Sequence, residues 1–311
     1  MSAAPPPIIA VVGSTATGKS DLALALAEAL DGEVINADAM QFYRGMDIGT
    51  AKLGPEERRG IPHHQIDTLE VVEDASVARF QSAARTDADA IHARGRRAIA
   101  VGGSGLYVRA LLDKFDFPET DPAVRAGLEA RAEVEGPGLL HRELAQRDAV
   151  AASKIQPQNT KRIVRALEVI AITGLPFSSS LPTRTYAAPA IQIGLRVPLD
   201  ILDARIDARA RAMWDGGLLG ETRELVTRGL RDGVTARRAV GYAEALAHLD
   251  GSLTEDVARE ATARNTRRLA RKQLKWFGPD ERVVWIDGRR AGEEPSRVLA
   301  DALAALGTLG T

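Results

Sequence analysis

The chain has no cysteine among its 311 residues, which excludes disulfides, thiolate nucleophiles and Cys-ligated zinc. Aromatic residues make up only 4% of it, so a core must be aliphatic, and the 45% hydrophobic content can supply one. Net charge is nearly absent as well: a formal −1 excludes polyanion binding through bulk charge and leaves only a local basic patch balanced by acid elsewhere. No apolar run approaches the roughly 20 residues of a membrane-spanning helix. The start, Met1-Ser2-Ala3-Ala4-Pro5-Pro6-Pro7, has neither a basic nor a long apolar leader region. The five histidines, His63, His64, His92, His141 and His248, show no metal-ligand spacing, so zinc is not expected. Repeats, heptads and low-complexity tracts are also missing. These absences point to a soluble, cytoplasmic monomer with no membrane segment and no obligate protein partner.

What is present begins with Gly13-Ser14-Thr15-Ala16-Thr17-Gly18-Lys19-Ser20, which follows an apolar run at residues 8–12 and precedes a helical pattern at 20–30. The spacing Gly13…Gly18-Lys19-Ser20 in a strand–loop–helix context is the P-loop signature. Small residues let successive backbone N–H groups face a phosphate chain, and the new helix adds the positive end of its dipole. Lys19 supplies a point charge to the terminal phosphate and Ser20 a hydroxyl ligand for Mg²⁺. The cradle does not reveal what the phosphates carry.

Strand and helix patterns then alternate. A short strand at 34–37 delivers Asp38, helical spacing runs from Ser76 to Ile91 with Gly95 as its stop, and a buried strand at 98–101 ends in Gly102-Gly103-Ser104-Gly105 before a helix near Leu106. This order predicts a parallel, doubly wound sheet with its ligand at the carboxyl ends of the strands. From Asp121 to about Pro182 only helical segments and turns are found, the clearest at 159–173; strands return at 191–197 and 283–286. The expected fold is therefore α/β, a P-loop NTPase-like parallel sheet flanked by helices. Residues 1–118 and 186–311 form the core, and 119–185 an inserted all-helical domain.

Asp38 has three readings: a Mg²⁺ ligand, a proton acceptor beside the phosphates, or an N-cap or turn aspartate. The strand at 98–101 ends without the Asp or Glu that positions metal and water in many ATPases, which disfavours a motor or switch and leaves a transferase. Residues 39–52 are polar without either regular period and read as a substrate-recognition loop or as an ordinary surface connection. Arg264, Arg267, Arg268, Arg271 and Lys275 fall on one broad helical face, and Lys161, Arg162 and Arg165 cluster at another helix start. Each cluster reads either as a polyanion surface or as a solvated charged face.

In order along the chain, the P-loop, residues 38–52 with Tyr43-Arg44-Gly45-Met46-Asp47-Ile48-Gly49-Thr50-Ala51-Lys52, Pro62-His63-His64-Gln65-Ile66-Asp67, Gly102-Gly103-Ser104-Gly105-Leu106-Tyr107, 162–169, Val240-Gly241-Tyr242 and 267–276 resemble the tRNA dimethylallyltransferase family. The resemblance implies that residues 13–20 hold the diphosphate of dimethylallyl diphosphate with Mg²⁺, and that the prenyl group goes to N6 of adenosine 37, beside the tRNA anticodon. It further implies that Asp38 takes the proton of the exocyclic amine, that Arg238 stabilises the leaving diphosphate, and that Ser104 contacts the nucleotide. By the same resemblance Ala39, Met40 and Gln41, Arg125, Gln158, Asn159, Lys161 and Arg162, and Gly241 and Tyr242 contact the anticodon stem-loop; the basic face adds Arg268 and Arg271. The sequence departs from the family with Ser14 for Pro, Ala39 for Ser, Ser104 for Thr and Ala243 for Arg or Lys. The alternatives are a small-molecule P-loop kinase, an isopentenyltransferase acting on free adenine nucleotides, and a non-catalytic RNA-binding protein.

Overall fold

The computed structural model describes residues 5–114, 117, 118, 120–180 and 184–309; Met1, Ser2, Ala3, Ala4 and Pro182, on which the sequence reading touches, lie outside them. Six strands, β1 (Ile8–Val12), β2 (Gly32–Asn36), β3 (His63–His64), β4 (Arg97–Gly102), β5 (Ala190–Arg196) and β6 (Val283–Asp287), form one sheet in the order β3-β2-β4-β1-β5-β6. Every pairing is parallel. β1 is buried along its whole length, and a strand covered on both faces reads as an unbroken apolar run. Val12 pairs with Gly102 on one side and Gly194 on the other. The P-loop after β1 and the glycine turn after β4 therefore leave the sheet at the same edge.

Helices α1 (Lys19–Leu30), α2 (Val77–Ala93) and α3 (Gly105–Leu112) follow β1, β3 and β4. The chain from Asp113 to Ala187 forms a separate compact unit containing α4 (Pro122–Glu135), α5 (Pro137–Arg147), α6 (Ala149–Lys154) and α7 (Thr160–Thr173). Beyond it come α8 (Leu199–Asp215), α9 (Leu218–Thr227), α10 (Tyr242–Leu249), α11 (Glu255–Phe277) and α12 (Pro295–Leu309). Among the described residues no helix is long and apolar enough to cross a membrane. The main core joins Ile9 and Val11 of β1 to Leu22 and Leu26 of α1, Val34, Ile99, Ile193, Leu195 and Val298. Scarce aromatics are concentrated: the rings of Phe42, Phe80 and Tyr107 meet pairwise at 5.1 to 5.3 Å, locking the segment after β2 onto α2 and α3.

Two features differ from the sequence expectation. β2 ends at Asn36, because the Asn36 side chain accepts from the Asp38 N–H at 2.9 Å and donates to the Asp38 carbonyl at 3.1 Å, turning the chain out of the sheet. Residues 39–52 are not a surface connection, since Phe42, Tyr43, Met46 and Lys52 are buried. The Lys52 ammonium donates to the Tyr43 carbonyl at 2.8 Å and to Asp47 and Asp67 at 2.6 Å each, so this non-periodic segment is held from inside.

The helical unit has its own core, with Leu128, Leu140, Leu144, Ile163 and Leu167 at its centre. Asp121, Asp148 and Asn159 cap α4, α6 and α7 through side-chain acceptors, and Gly174 closes α7 in the left-handed region at φ 70°. Its ends meet: Asp113 bridges Tyr186 and the Lys114 N–H donates to the Thr185 carbonyl at 2.8 Å. These contacts draw the neck into the helical unit, beyond the boundaries at 118 and 186 that composition suggests.

Glu168 of α7 is fully buried in this unit. It accepts from Arg125 at 2.8 Å, from Arg165 at 2.9 Å and from the Asp121 N–H at 3.2 Å. Burial pushes its pKa up, and the two guanidinium bonds more than reverse this, leaving it below the ordinary glutamate value. Its stabilisation is therefore present above the unfolded glutamate pKa, about 4.3, and lost as pH falls through the depressed native value. Glu168→Ala is expected to destabilise the unit by about 1–3 kcal/mol at neutral pH, with the difference from wild type shrinking in acid. Denaturant melts at several pH values check this, and a pH-independent difference would contradict the linkage.

Candidate functional site

The P-loop curls because Gly13 and Gly18 adopt φ 129° and 91°, conformations open to glycine. Ser14 and Thr17 are buried, and the Thr17 hydroxyl donates to the Ser14 carbonyl at 2.9 Å. Lys19 donates to the same carbonyl at 2.5 Å. Burial lowers its pKa to about 8; nearby Asp38 opposes that shift and Arg209 adds to it. The loop is tied to α11 by the Thr15 N–H, which donates to Gln273 Oε1 at 2.8 Å.

That bond requires α11 to lie against the glycine turn. A Cβ on Gly102 would stand 2.4 Å from the Ala37 backbone, one on Gly103 2.4 Å from Gln273 Nε2, and one on Gly105 2.0 Å from the Trp276 ring. The absence of a carboxylate after β4 thus has a packing cause. Ser104, the one side chain in the turn, accepts from the Ala39 N–H at 3.2 Å, steadying the turn that carries Asp38.

Asp38 is the N-cap of the 3-10 turn Ala39–Phe42, accepting from the Met40 N–H at 3.1 Å. The capping reading of this aspartate is therefore correct, and it coexists with exposure to the site. Asp38, Met40, Gly49, Thr50, Thr15, Arg209, Val240, Thr262, Thr266, Leu269 and Gln273 line one narrow cavity of about 80 Å³. Asp38 is the only carboxylate among its lining residues. A larger cavity of about 630 Å³ is lined by Arg205, Arg289, Arg290 and Arg297. Its arginines are already engaged by Asp287, Glu294 and the Gly288 and Arg289 carbonyls, and no P-loop residue reaches it.

Arg209 of α8 was not among the sequence candidates. It is half-buried near Asp38, desolvation lowers its pKa, and Asp38 and Asp21 oppose that shift. Its guanidinium reaches Thr15 Oγ1 at 3.5 Å and the Thr50 carbonyl at 3.4 Å. Arg238, the expected cation, is exposed in the 3-10 turn Ala236–Arg238 and outside the cavity lining, to which only the following Ala239 and Val240 contribute.

Tyr242 and Gly241 are likewise internal. Tyr242 is fully buried, with its hydroxyl donating to Glu221 Oε1 at 2.5 Å and receiving the Gly49 N–H at 3.2 Å. The Glu221 carboxylate also receives the N–H groups of Asp47, Ile48 and Gly49. Together these two residues hold the segment whose Thr50 carbonyl receives Gln41 at 3.2 Å as well as Arg209. Gly241 donates its N–H to Glu244 at 2.7 Å.

The basic face of α11 divides. Arg271 forms a bidentate pair with Asp203 of α8, at 2.7 and 2.6 Å, and Arg267 pairs with Asp207. Arg268 contacts Asn265 and stays exposed. Arg264, Arg268, Lys272 and Lys275 make an exposed stripe at i, i+4, i+8 and i+11, of which the sequence reading missed Lys272. In the helical unit Arg125 is committed to Glu168, whereas Gln158, Asn159, Lys161 and Arg162 are exposed at the start of α7.

A parallel sheet with a P-loop on its central strand, facing one carboxylate and one half-buried arginine, defines an α/β protein of the P-loop transferase type. The IPP transferase family model matches residues 41–280. The chain belongs to the IPP transferase family. It is 58% identical to the tRNA dimethylallyltransferase of Kineococcus radiotolerans over 90% of both chains, and 56% identical to that of Thermobifida fusca over 90% of this chain and 89% of the other. The crystal structure of the tRNA isopentenylpyrophosphate transferase of Bacillus halodurans superposes with a TM-score of 0.71 at 38% identity over 97% of each chain. A eukaryotic dimethylallyltransferase, solved acting on tRNA, gives 0.84 at 27% identity over 96% of this chain and 78% of that one.

Lys19 yields a test of the cradle. A bound anion favours its ammonium form and raises its pKa from about 8, so inorganic diphosphate binding near pH 8 is expected to take up on the order of half a proton. Affinity should fall as pH climbs beyond that point. Calorimetry in buffers of different ionisation enthalpy measures the net exchange, and Lys19→Met should take up correspondingly fewer protons than the wild type, the difference cancelling the ionisation of diphosphate itself. Equal proton exchange in the two proteins would remove Lys19 from the site.

Proposed function

We propose that the protein transfers the dimethylallyl group of dimethylallyl diphosphate to N6 of adenosine 37, 3′-adjacent to the tRNA anticodon, yielding N6-isopentenyladenosine and diphosphate in the cytoplasm. The observation that carries the chemistry is that Asp38, Thr15 of the P-loop and Arg209 line one cavity in which Asp38 is the sole carboxylate. The amine nitrogen attacks the allylic carbon, the carbon–oxygen bond breaks toward the diphosphate, and Asp38 takes the proton released by the amine. P-loop N–H groups at residues 13–20, Lys19 and Arg209 stabilise the charge that develops on the leaving oxygen. The long contacts of Arg209 leave it free to turn toward an anion, and we assign to it the role that the family resemblance gives Arg238.

Mg²⁺ fits the site as an ion shared with the diphosphate. Among the described residues no group of three carboxylates or histidines is arranged to hold a metal ion, and Mg²⁺ commonly binds through few protein groups together with substrate phosphates. Ser20, in the first turn of α1, would hold it through its hydroxyl. Bound there, it would neutralise part of the leaving-group charge.

The acceptor adenine must leave its stack, at a cost of a few kcal/mol. Met40 and Gln41 flank Asp38 and serve the extruded nucleotide, with Ser104 and Ala39 fixing the turn beneath it. Tyr242, with Glu221, acts by holding residues 47–49, and Gly241 acts by starting the helix that carries Tyr242. Gln158, Asn159, Lys161 and Arg162 of the helical unit, residues 119–185 in the sequence division, supply backbone contacts, as does Arg268. Arg125 and Arg271, already paired, contribute through structure.

The decisive assay offers labelled dimethylallyl diphosphate with Mg²⁺ to tRNA and to AMP. Label on tRNA supports this reading, label on AMP alone supports the free-nucleotide enzyme, and dependence on ATP supports a kinase. Asp38→Asn keeps the N-cap acceptor and should preserve fold and diphosphate affinity while lowering kcat by about 10²–10⁴-fold; near-normal turnover would exclude the base assignment. Arg209→Gln is expected to lower kcat by about 10²-fold or more and Arg238→Ala by much less. The reverse ranking would return the leaving-group role to Arg238.

A further inference from the structure

The three tryptophans are treated differently by the fold. Trp214 is buried and its indole N–H donates to Thr262 at 3.1 Å. Trp285 packs on Gly194, with the Arg196 guanidinium 5.2 Å from its ring centre. Trp276 is 43% exposed and, among the described residues, has neither a hydrogen bond nor a cation over its ring. Exposing one of three tryptophans in a chain with 4% aromatic residues forgoes a large burial contribution.

Its position is specific. The ring lies against Gly105, where a Cβ would come within 2.0 Å of it, directly after Ser104, which holds the Asp38 turn. Along α11 it continues the row of Thr262, Thr266, Leu269 and Gln273, all of which line the cavity. Lys272 and Lys275 stand four and one residues before it, exposed and without ion pairs among the described residues. A partly exposed aromatic ring therefore lies on α11 between exposed, unpaired lysines and the row of residues that lines the Asp38 cavity. Apolar surface beside a row of cations complements a single-stranded nucleic acid, whose bases stack while its phosphates are neutralised.

We infer that Trp276 is a stacking platform for one unpaired base of the tRNA anticodon loop, neighbouring the adenosine that enters the cavity. This rests on the tRNA reading above. The ring holds the displaced neighbour while Lys272 and Lys275 meet the adjoining phosphates, so that the acceptor is kept out of its stack without a base-specific contact. Trp276 is thus a positioning residue for the acceptor, acting on the loop and touching neither the prenyl group nor the diphosphate.

Steady-state kinetics and stem-loop RNA binding with Trp276→Leu and Trp276→Phe test this. Leucine keeps apolar packing on Gly105 but lacks a π face; it is expected to raise the tRNA KM and the stem-loop Kd on the order of tenfold, with diphosphate affinity unchanged as the control for folding. Phenylalanine should restore most of the loss. The salt dependence of binding should keep its slope in both variants, whereas Lys272→Ala should flatten it by about one unit. Stem-loops carrying a single abasic nucleotide, scanned through the loop, should contain one position whose effect disappears in Trp276→Leu. An unchanged tRNA KM in Trp276→Leu, or abasic effects equal in wild type and variant at every position, would overturn the platform while leaving the transferase reading intact. A wild-type protein that binds no stem-loop RNA would overturn both.

Discussion

Lys19 and Arg209 are half-buried at the carboxyl end of the sheet, where desolvation lowers the pKa of both and Asp38 opposes the shift. Removing two cations from water is costly unless an anion replaces their hydration. The protein supplies only provisional partners, the Ser14 carbonyl for Lys19 and the Thr50 carbonyl and Thr15 hydroxyl for Arg209. A multiply charged phosphate chain answers the imbalance, and a neutral ligand does not. Chemistry at this edge is thereby biased toward a reaction that creates negative charge next to the two cations. Departure of a diphosphate from carbon is such a reaction.

The cations are held in place by a close approach of backbone and helix. Three glycines at the end of β4 and in the turn after it let the Ala37 backbone, Gln273 and Trp276 come nearer than any side chain would permit. Through Gln273 the P-loop is bonded to α11, and through Asp203 and Asp207 α11 is bonded to α8, which carries Arg209. The ion pairs across α8 and α11 are half-exposed and individually weak. Their consequence is register, because two acids four residues apart meet two arginines four residues apart. A slip of α11 by one residue would lose both pairs and move Gln273 away from Thr15.

This arrangement also explains what could be read before the structure was seen. The P-loop, β1, the capped start of α7 and the helical character of the insertion carry short-range signals: fixed spacing, an apolar run, an Asn at a helix start, helical periodicity. Arg209, Gln273 and Glu221 carry none. Each is a single polar residue on an amphipathic helix, and its meaning comes from partners as far away in sequence as the 258 residues between Thr15 and Gln273. Arg264, Arg267, Arg268, Arg271 and Lys275 read as one face because their sequence spacing cannot show that α8 brings acids to two of them. Asp203 and Asp207 were visible at matching spacing, but linking them to Arg271 and Arg267 requires knowing that α8 packs on α11. Tyr242 illustrates the converse, since the motif around it is legible while its burial against Glu221 and Gly49 is not.

Pairing some arginines and leaving others bare reconciles a net charge of −1 with a polyanionic acceptor. Bulk positive charge would bind any nucleic acid, and binding strength would then rise with the number of phosphates met rather than with the fit of one loop. Here the cations that remain unpaired on α11 form one narrow stripe beside the catalytic cavity, so few phosphates can be engaged at once. On the proposed mechanism, discrimination comes from which nucleotide can unstack and reach Asp38. Duplex RNA presents its phosphates but holds its bases in the stack, whereas an anticodon loop offers bases that leave it at lower cost. The same acids that set the register of α11 against α8 thus also neutralise two of its arginines and reduce the non-specific component of binding.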